Sequence, residues 1–232
     1  MLVLGIESAT AQVGCAIGGH EGVLASAHSS RAKRHAEILT PQIDFVRRQA
    51  RVELREIGVV AVDLGPGLFT GLRVGIASAM AIAHALTVPM IGVASLDLLA
   101  FPVRFTSKLI VAAIDARRGE LFHAFYRPVP GGVQRVSEYE VSSPDDLASE
   151  ILAHSEDCLV VGDGALRYHE VFDGLRKVEL ADFGFAYPNA ASLVQLAHAQ
   201  ALREQWVKPW EITPLYLRKP DIDINWATRD SK

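Results

Sequence analysis

The residues whose types and spacing could do chemistry stand together in Gly65-Pro66-Gly67-Leu68-Phe69-Thr70-Gly71-Leu72-Arg73-Val74-Gly75. The apolar run Val59 to Leu64 precedes them and an alanine-rich run follows. That order predicts strand, glycine turn, helix. The layout lets a backbone come very close to something, either a phosphate at the helix N-terminus or another segment of protein. No lysine follows where a Walker A loop needs one, and Gly65, Gly67 and Gly71 carry one spacing too many for a dinucleotide fingerprint. The plainer reading is a tight turn whose glycines serve backbone geometry. Gly71, Gly75, Ala79 and Ala83 then recur every fourth residue, flanked by Leu72, Val74, Ile76, Met80 and Ile82. Such a flat helix face suits close approach by a partner helix, or by the chain's own sheet.

Two carboxylates close apolar runs: Glu7, followed by Ser8, and Asp115. An acidic residue ending a first strand is a place to hold a metal–nucleotide complex; a turn residue bonding local backbone is the alternative. His35 opens a helical pattern, but Ile38 and Leu39 occupy the positions a second metal ligand would need. The other histidines are scattered, so no metal site is expected. No G-x-S-x-G elbow exists, and neither Cys15 nor Cys158 sits among positive charges that would activate a thiol. No catalytic residue is therefore assigned. The clusters Arg31-Lys33-Arg34 and Arg47-Arg48-Arg51 read as a solvated face, with phosphate or an acidic partner as the alternative.

The elements that must position these residues follow from pattern. Half of the 232 residues are hydrophobic, ample for a core, and the net charge of −4 argues against coating nucleic acid by bulk electrostatics. Two distant cysteines suit a reducing cytosol, and the run Val74 to Leu86 falls short of a bilayer span. Strands are expected at Leu2–Ile6, Val13–Ile17 and Val23–His28. A helix follows over Arg34–Ala50, kinked or started late by Pro41. Next come a buried parallel strand over Val59–Leu64, a helix over Thr70–Leu86, a strand at Pro89–Val93, and a helix over Leu96–Ala100 capped by Ser95. A break at 101–107 marks the lobe boundary. Strands at Leu109–Ile114, Leu121–Tyr126 and Val133–Val136 open a second unit, with a turn over Pro128–Gly132. A helix capped by Ser143, a strand at Cys158–Val161, a helix over Asn189–Gln205 and an extended Pro214–Arg218 complete it. Both halves open with a hairpin-like strand group containing a carboxylate, so two related α/β lobes are expected.

Glu7-Ser8, His35 leading a helix that contains Pro41, the glycine block, and Pro214-Leu215-Tyr216-Leu217-Arg218 occur in that order. Together they resemble the bacterial tRNA threonylcarbamoyladenosine biosynthesis family TsaB, also called YeaZ. The resemblance implies the two-lobed actin/Hsp70/sugar-kinase (ASKHA) fold, each lobe a mixed sheet with helices. It places an N-terminal lobe at 1–103, completed by about 206–220, a C-terminal lobe at 104–205, and a loose tail at 221–232. It also implies a cytoplasmic, non-catalytic subunit that supports the catalytic subunit TsaD. TsaD holds its metal through a histidine pair on the helix corresponding to 34–50; here that pair is His35 and Leu39. The partners implied are TsaD, the ATPase TsaE through the complex, tRNA indirectly, and a second copy of the chain when alone; no membrane is involved. The product is modified adenosine 37 in tRNAs reading codons that begin with A. No firmly bound cofactor is implied, though ATP or ADP can sit at the complex interface.

On that resemblance the partner surface comprises His35, Ile38, Leu39 and Gln42 on one helix. Leu68, Phe69, Thr70, Leu72, Arg73, Gly75, Ile76, Ala79 and Ala83 supply the rest. Glu7, Ser8 and Asp115 would line a vestigial nucleotide cleft. Two departures stand out. The family's usual Asp-Thr-Ser is Glu7-Ser8-Ala9, which moves the carboxylate and loses a hydroxyl, and its usual serine in the glycine block is Leu68. The alternative function is a stand-alone ATPase or kinase of the same fold, or a peptidase.

Overall fold

In the computed structural model the described residues are 1–30 and 35–218. Residues 31–34, with the first basic cluster, and the tail from 219 lie outside them.

The first sheet opens with β1 (Leu2–Glu7), β2 (Val13–Gly19) and β3 (Gly22–Ser29), an antiparallel meander. Helix α1 (His35–Ala50), β4 (Ile57–Asp63), α2 (Phe69–Leu86) and β5 (Met90–Val93) follow. β4 pairs in parallel with β1 and β5, giving the order β3-β2-β1-β4-β5. β4 is buried because it is flanked by strands and covered by helices on both faces. One face packs on α1 and α2 through Leu4, Ile6, Val60, Val62, Leu39, Val46 and Ala79.

Helix α3 (Ser95–Ala100) joins the lobes: Leu98 belongs to the first core, while Leu96, Leu99 and Ala100 belong to the second. The second core thus begins before the expected break at 101–107. Ser95 does not cap α3, because its hydroxyl donates to Asp63 Oδ1 at 2.6 Å and Ala94 occupies the cap position.

The second sheet repeats the plan of the first. β6 (Leu109–Arg117), β7 (Glu120–Val129) and β8 (Gly132–Arg135) form the antiparallel part, with β9 (Glu140–Ser142) added to β7. Helix α4 (Pro144–His154) starts as expected, the Ser143 hydroxyl accepting from Asp146 N at 3.1 Å. β10 (Cys158–Val161), α5 (Asp163–Arg167), α6 (His169–Phe172) and β11 (Val178–Leu180) follow; β10 lies parallel between β6 and β11. Helix α7 (Ala190–Ala201) is capped by the Asn189 side chain and stops four residues before the expected Gln205. Leu193, Val194 and Ala197 seat it on the first sheet. The chain therefore returns to the first lobe at Ala190, not near 206.

Pro41 causes no late start, since α1 runs unbroken from His35. Its missing N–H would have met the carbonyl of Glu37, and both residues are solvent-facing, so water can serve that oxygen. Among the described residues, α2 has the length and apolarity of a membrane span. Its buried residues Gly71, Leu72, Gly75, Ile76, Ala79 and Ala83 pack on the chain's own first lobe instead.

Candidate functional site

The glycine block approaches the chain's own first loop. A Cβ on Gly67 would overlap the carbonyl of Ala9, one on Gly71 the carbonyl of Ser8, and one on Gly75 the Ser8 hydroxyl. Only glycine lets α2 lie this close. The Ser8 hydroxyl donates to Gly71 O at 2.8 Å, and Leu68 N donates to Ala9 O at 2.6 Å. A phosphate cradle on this side is thus filled by the protein's own backbone. The small stripe faces inward for the same reason, which corrects its assignment as partner surface.

At the foot of the block lies a pair of buried carboxylates. Asp63 Oδ1 accepts from Gly65 N at 2.7 Å and from the Ser95 hydroxyl; Glu7 Oε1 accepts from Ala9 N at 2.9 Å. Glu7 Oε2 and Asp63 Oδ2 are buried without a hydrogen-bond partner. Burial, then the charge of Asp63, pushes the Glu7 carboxyl well above its ordinary range. Burial pushes Asp63 up to about 7. Loss of solvent disfavours the ionised form of a buried carboxyl, and a neighbouring carboxylate does so further.

The thirteen residues expected at the partner surface divide by exposure. Leu39, Leu72, Gly75, Ile76, Ala79 and Ala83 are buried. Phe69, Thr70 and Arg73 are exposed, and His35, Ile38, Gln42 and Leu68 are half-buried. His35 Nε2 sits 3.0 Å from Thr10 O, tying α1 to the first loop. Outward-facing residues of α1 and α2 that sequence reasoning missed are Phe45, 53% exposed, and Ala77 and Ala81. Half-buried Val74 and Met80 flank the exposed face of α2. Spacing alone does not single them out, because it does not say which face of each helix meets the sheet.

The C-terminal segment docks on the same block. Leu215 N donates to Leu64 O at 2.7 Å. The Phe69 ring lies 5.5 Å from Tyr216, with the Arg73 guanidinium 3.8 Å from its other contact, the Phe69 centroid. An interlobe cavity of about 440 Å³ is lined by Pro66–Phe69, Asp115–Arg118, Phe122 and Leu215–Arg218. Asp115 pairs there with Arg117 at 2.9 Å and Arg167 at 3.5 Å. Its backbone N–H donates to Asp163, whose carboxyl is pushed up to about 6 by burial. Glu7 and Ser8 do not reach this cavity, since they are buried beneath the glycine block. The three expected cleft residues are therefore not brought together.

The sequence gives no reason to expect a metal site, yet the fold brings three possible ligands together. His123, Glu140 and Glu150 place one donor atom each within 4.8 Å of one another. They come from β7, β9 and α4, so no local spacing announces them.

Comparisons with known proteins bear on family and fold. The family model described as TsaD, tRNA N6-adenosine threonylcarbamoyltransferase, matches residues 22–226. An uncharacterized protein of Mycobacterium leprae is 38% identical over 95% of the chain, and the chain spans about half of that relative, 55%. The Escherichia coli tRNA threonylcarbamoyladenosine biosynthesis protein TsaB is 27% identical over 100% of both chains. A Pseudomonas aeruginosa crystal structure, described as similar to the peptidase YEAZ, is 25% identical with a TM-score of 0.81, covering 94% of this chain and 99% of its own. The fold is the two-lobed actin/Hsp70/sugar-kinase-like one, each lobe a mixed sheet with helices.

Proposed function

The chain belongs to the TsaB (YeaZ) branch of the tRNA N6-adenosine threonylcarbamoyltransferase family, and from that premise we propose that it is a non-catalytic partner subunit. It takes part in tRNA threonylcarbamoyladenosine biosynthesis by heterodimerising with a TsaD-like catalytic subunit in the cytoplasm. A TsaE-like ATPase and the tRNA join through that complex, and ATP or ADP can bind at its interface. The tRNAs served read codons beginning with A.

The observation that carries this reading is the face that α1 and α2 turn away from the sheet. Phe45 of α1 is 53% exposed, Ala77 and Ala81 of α2 are exposed, and Val74 of α2 is half-buried, while half-buried Ile38 and Met80 also pack on the first core. Two adjacent helices with an outward mix of small and large apolar residues fit a four-helix contact with a matching pair. The same face suits a second copy of the chain when the partner is absent. The non-catalytic part rests on α1: Leu39 is a core residue at 1% exposure, and His35 is committed to the Thr10 carbonyl.

Co-elution of the chain with the catalytic subunit tests the reading. An Ala77→Arg variant that keeps the native unfolding curve yet no longer co-elutes supports it. Unchanged co-elution of that variant, or no complex with the native chain, sinks it.

A further inference from the structure

We propose that His123, Glu140 and Glu150 form a binding site for a divalent transition ion of the zinc type on the second lobe. The site lies on the face of the second sheet that α4 covers.

His123 and Glu140 are direct cross-strand partners on β7 and β9, so their side chains leave the same face of the sheet. Phe125, two residues along β7, packs on that face against Leu147, Ala148 and Ile151 of α4. The helix thereby lowers Glu150 onto the same spot, and the three donor atoms lie within 4.8 Å of one another. An ion about 2.1 Å from each donor needs them ~3.4 Å apart in tetrahedral geometry. Glu140 is exposed and Glu150 half-buried, so both have the freedom to close that gap.

A second observation points to a ligand. His123 is 1% exposed, and its Nδ1 is buried with no hydrogen-bond partner. The neighbouring Ser142 hydroxyl donates to the Ser143 carbonyl at 3.2 Å and lies 2.9 Å from His123 Nε2. With its proton committed, that hydroxyl accepts from Nε2–H. Nδ1 then carries the bare lone pair. A hydrogen bond that fixes one ring nitrogen as donor and leaves the other free is how metal-binding histidines are oriented.

The charges agree. Neither glutamate is paired with lysine or arginine among the described residues. One imidazole and two carboxylates suit zinc, manganese or ferrous iron better than magnesium, which prefers all-oxygen shells.

The test is titration of the full chain with Zn²⁺ alone, by calorimetry against a competing chelator, with Mg²⁺ as the control. One ion per chain is expected for the native protein. Glu140→Gln and Glu150→Gln should each weaken binding at least about ten-fold. Both should keep the metal-free unfolding curve, and Zn²⁺ should raise the melting temperature of the native chain alone. Absence of one-to-one binding overturns the proposal, as does equal affinity in the native chain and either folded variant. If one variant fails to fold, the other decides.

Discussion

The hydroxyl of Ser8 donates to the carbonyl of Gly71 at 2.8 Å, across 63 positions of sequence. The contact fixes the distance between the first loop and α2, and it accounts for the glycine at each helical turn beneath it. Gly71→Ala should cost about 1–3 kcal/mol through overpacking. That loss comes in spite of the ~1 kcal/mol that alanine usually gains over glycine in a helix. Urea unfolding measures it; an unchanged or raised midpoint would show that the loop and helix are not in contact.

The Asp63 carboxyl makes stability depend on pH. Burial pushes it up from the ordinary 3.8 to about 7, so the native state holds a proton that the unfolded chain releases between those values. This contribution is fully present below pH ~4 and is lost as pH rises through about 7, with a limiting slope of about 1.4 kcal/mol per pH unit. Asp63→Asn should flatten that part of the profile, since an amide oxygen still accepts from Gly65 N and Ser95. Parallel profiles for the two proteins from pH 4 to 7 would remove Asp63 as the source.

Ala77 and Ala79 stand two residues apart on α2 and should respond in opposite ways to arginine. Ala77 is exposed and Ala79 is 0% exposed. Ala77→Arg should leave stability within about 0.5 kcal/mol of native and block binding of the catalytic subunit. Ala79→Arg buries an unpaired charge and should cost more than about 3 kcal/mol. Thermal melts paired with co-elution separate the two, and a stable Ala79→Arg protein would mean that α2 is not seated on the sheet as described.

Much of the fold is legible in residue patterns. The β-branched run at 59–62 reads as a buried parallel strand, and Ser143-Pro144 as a helix start, because each signal is local. The direction of the Gly71–Ala83 stripe is not legible, since small residues at helical spacing suit a partner or the chain's own loop equally. Ser95 fits a helix cap by type, yet Asp63, 32 positions away, takes its hydroxyl. β9 and β11, with three residues each, are too short for any alternation to register. The exposed Phe45, Ala77 and Ala81 are visible only once the inward face is known. The joining of Asp63 to Glu7, and of His123 to Glu140 and Glu150, depends on tertiary pairing that no spacing records.

The most direct test of the partner-subunit reading is reconstituted tRNA modification. The catalytic subunit, the ATPase, ATP, tRNA and the threonylcarbamoyl donor are combined with no added chain, with the native chain, or with the Ala77→Arg variant. Modified adenosine is expected only with the native chain, and the chain by itself should form none. Equal modification without the chain, or turnover by the chain alone, would contradict a non-catalytic partner role.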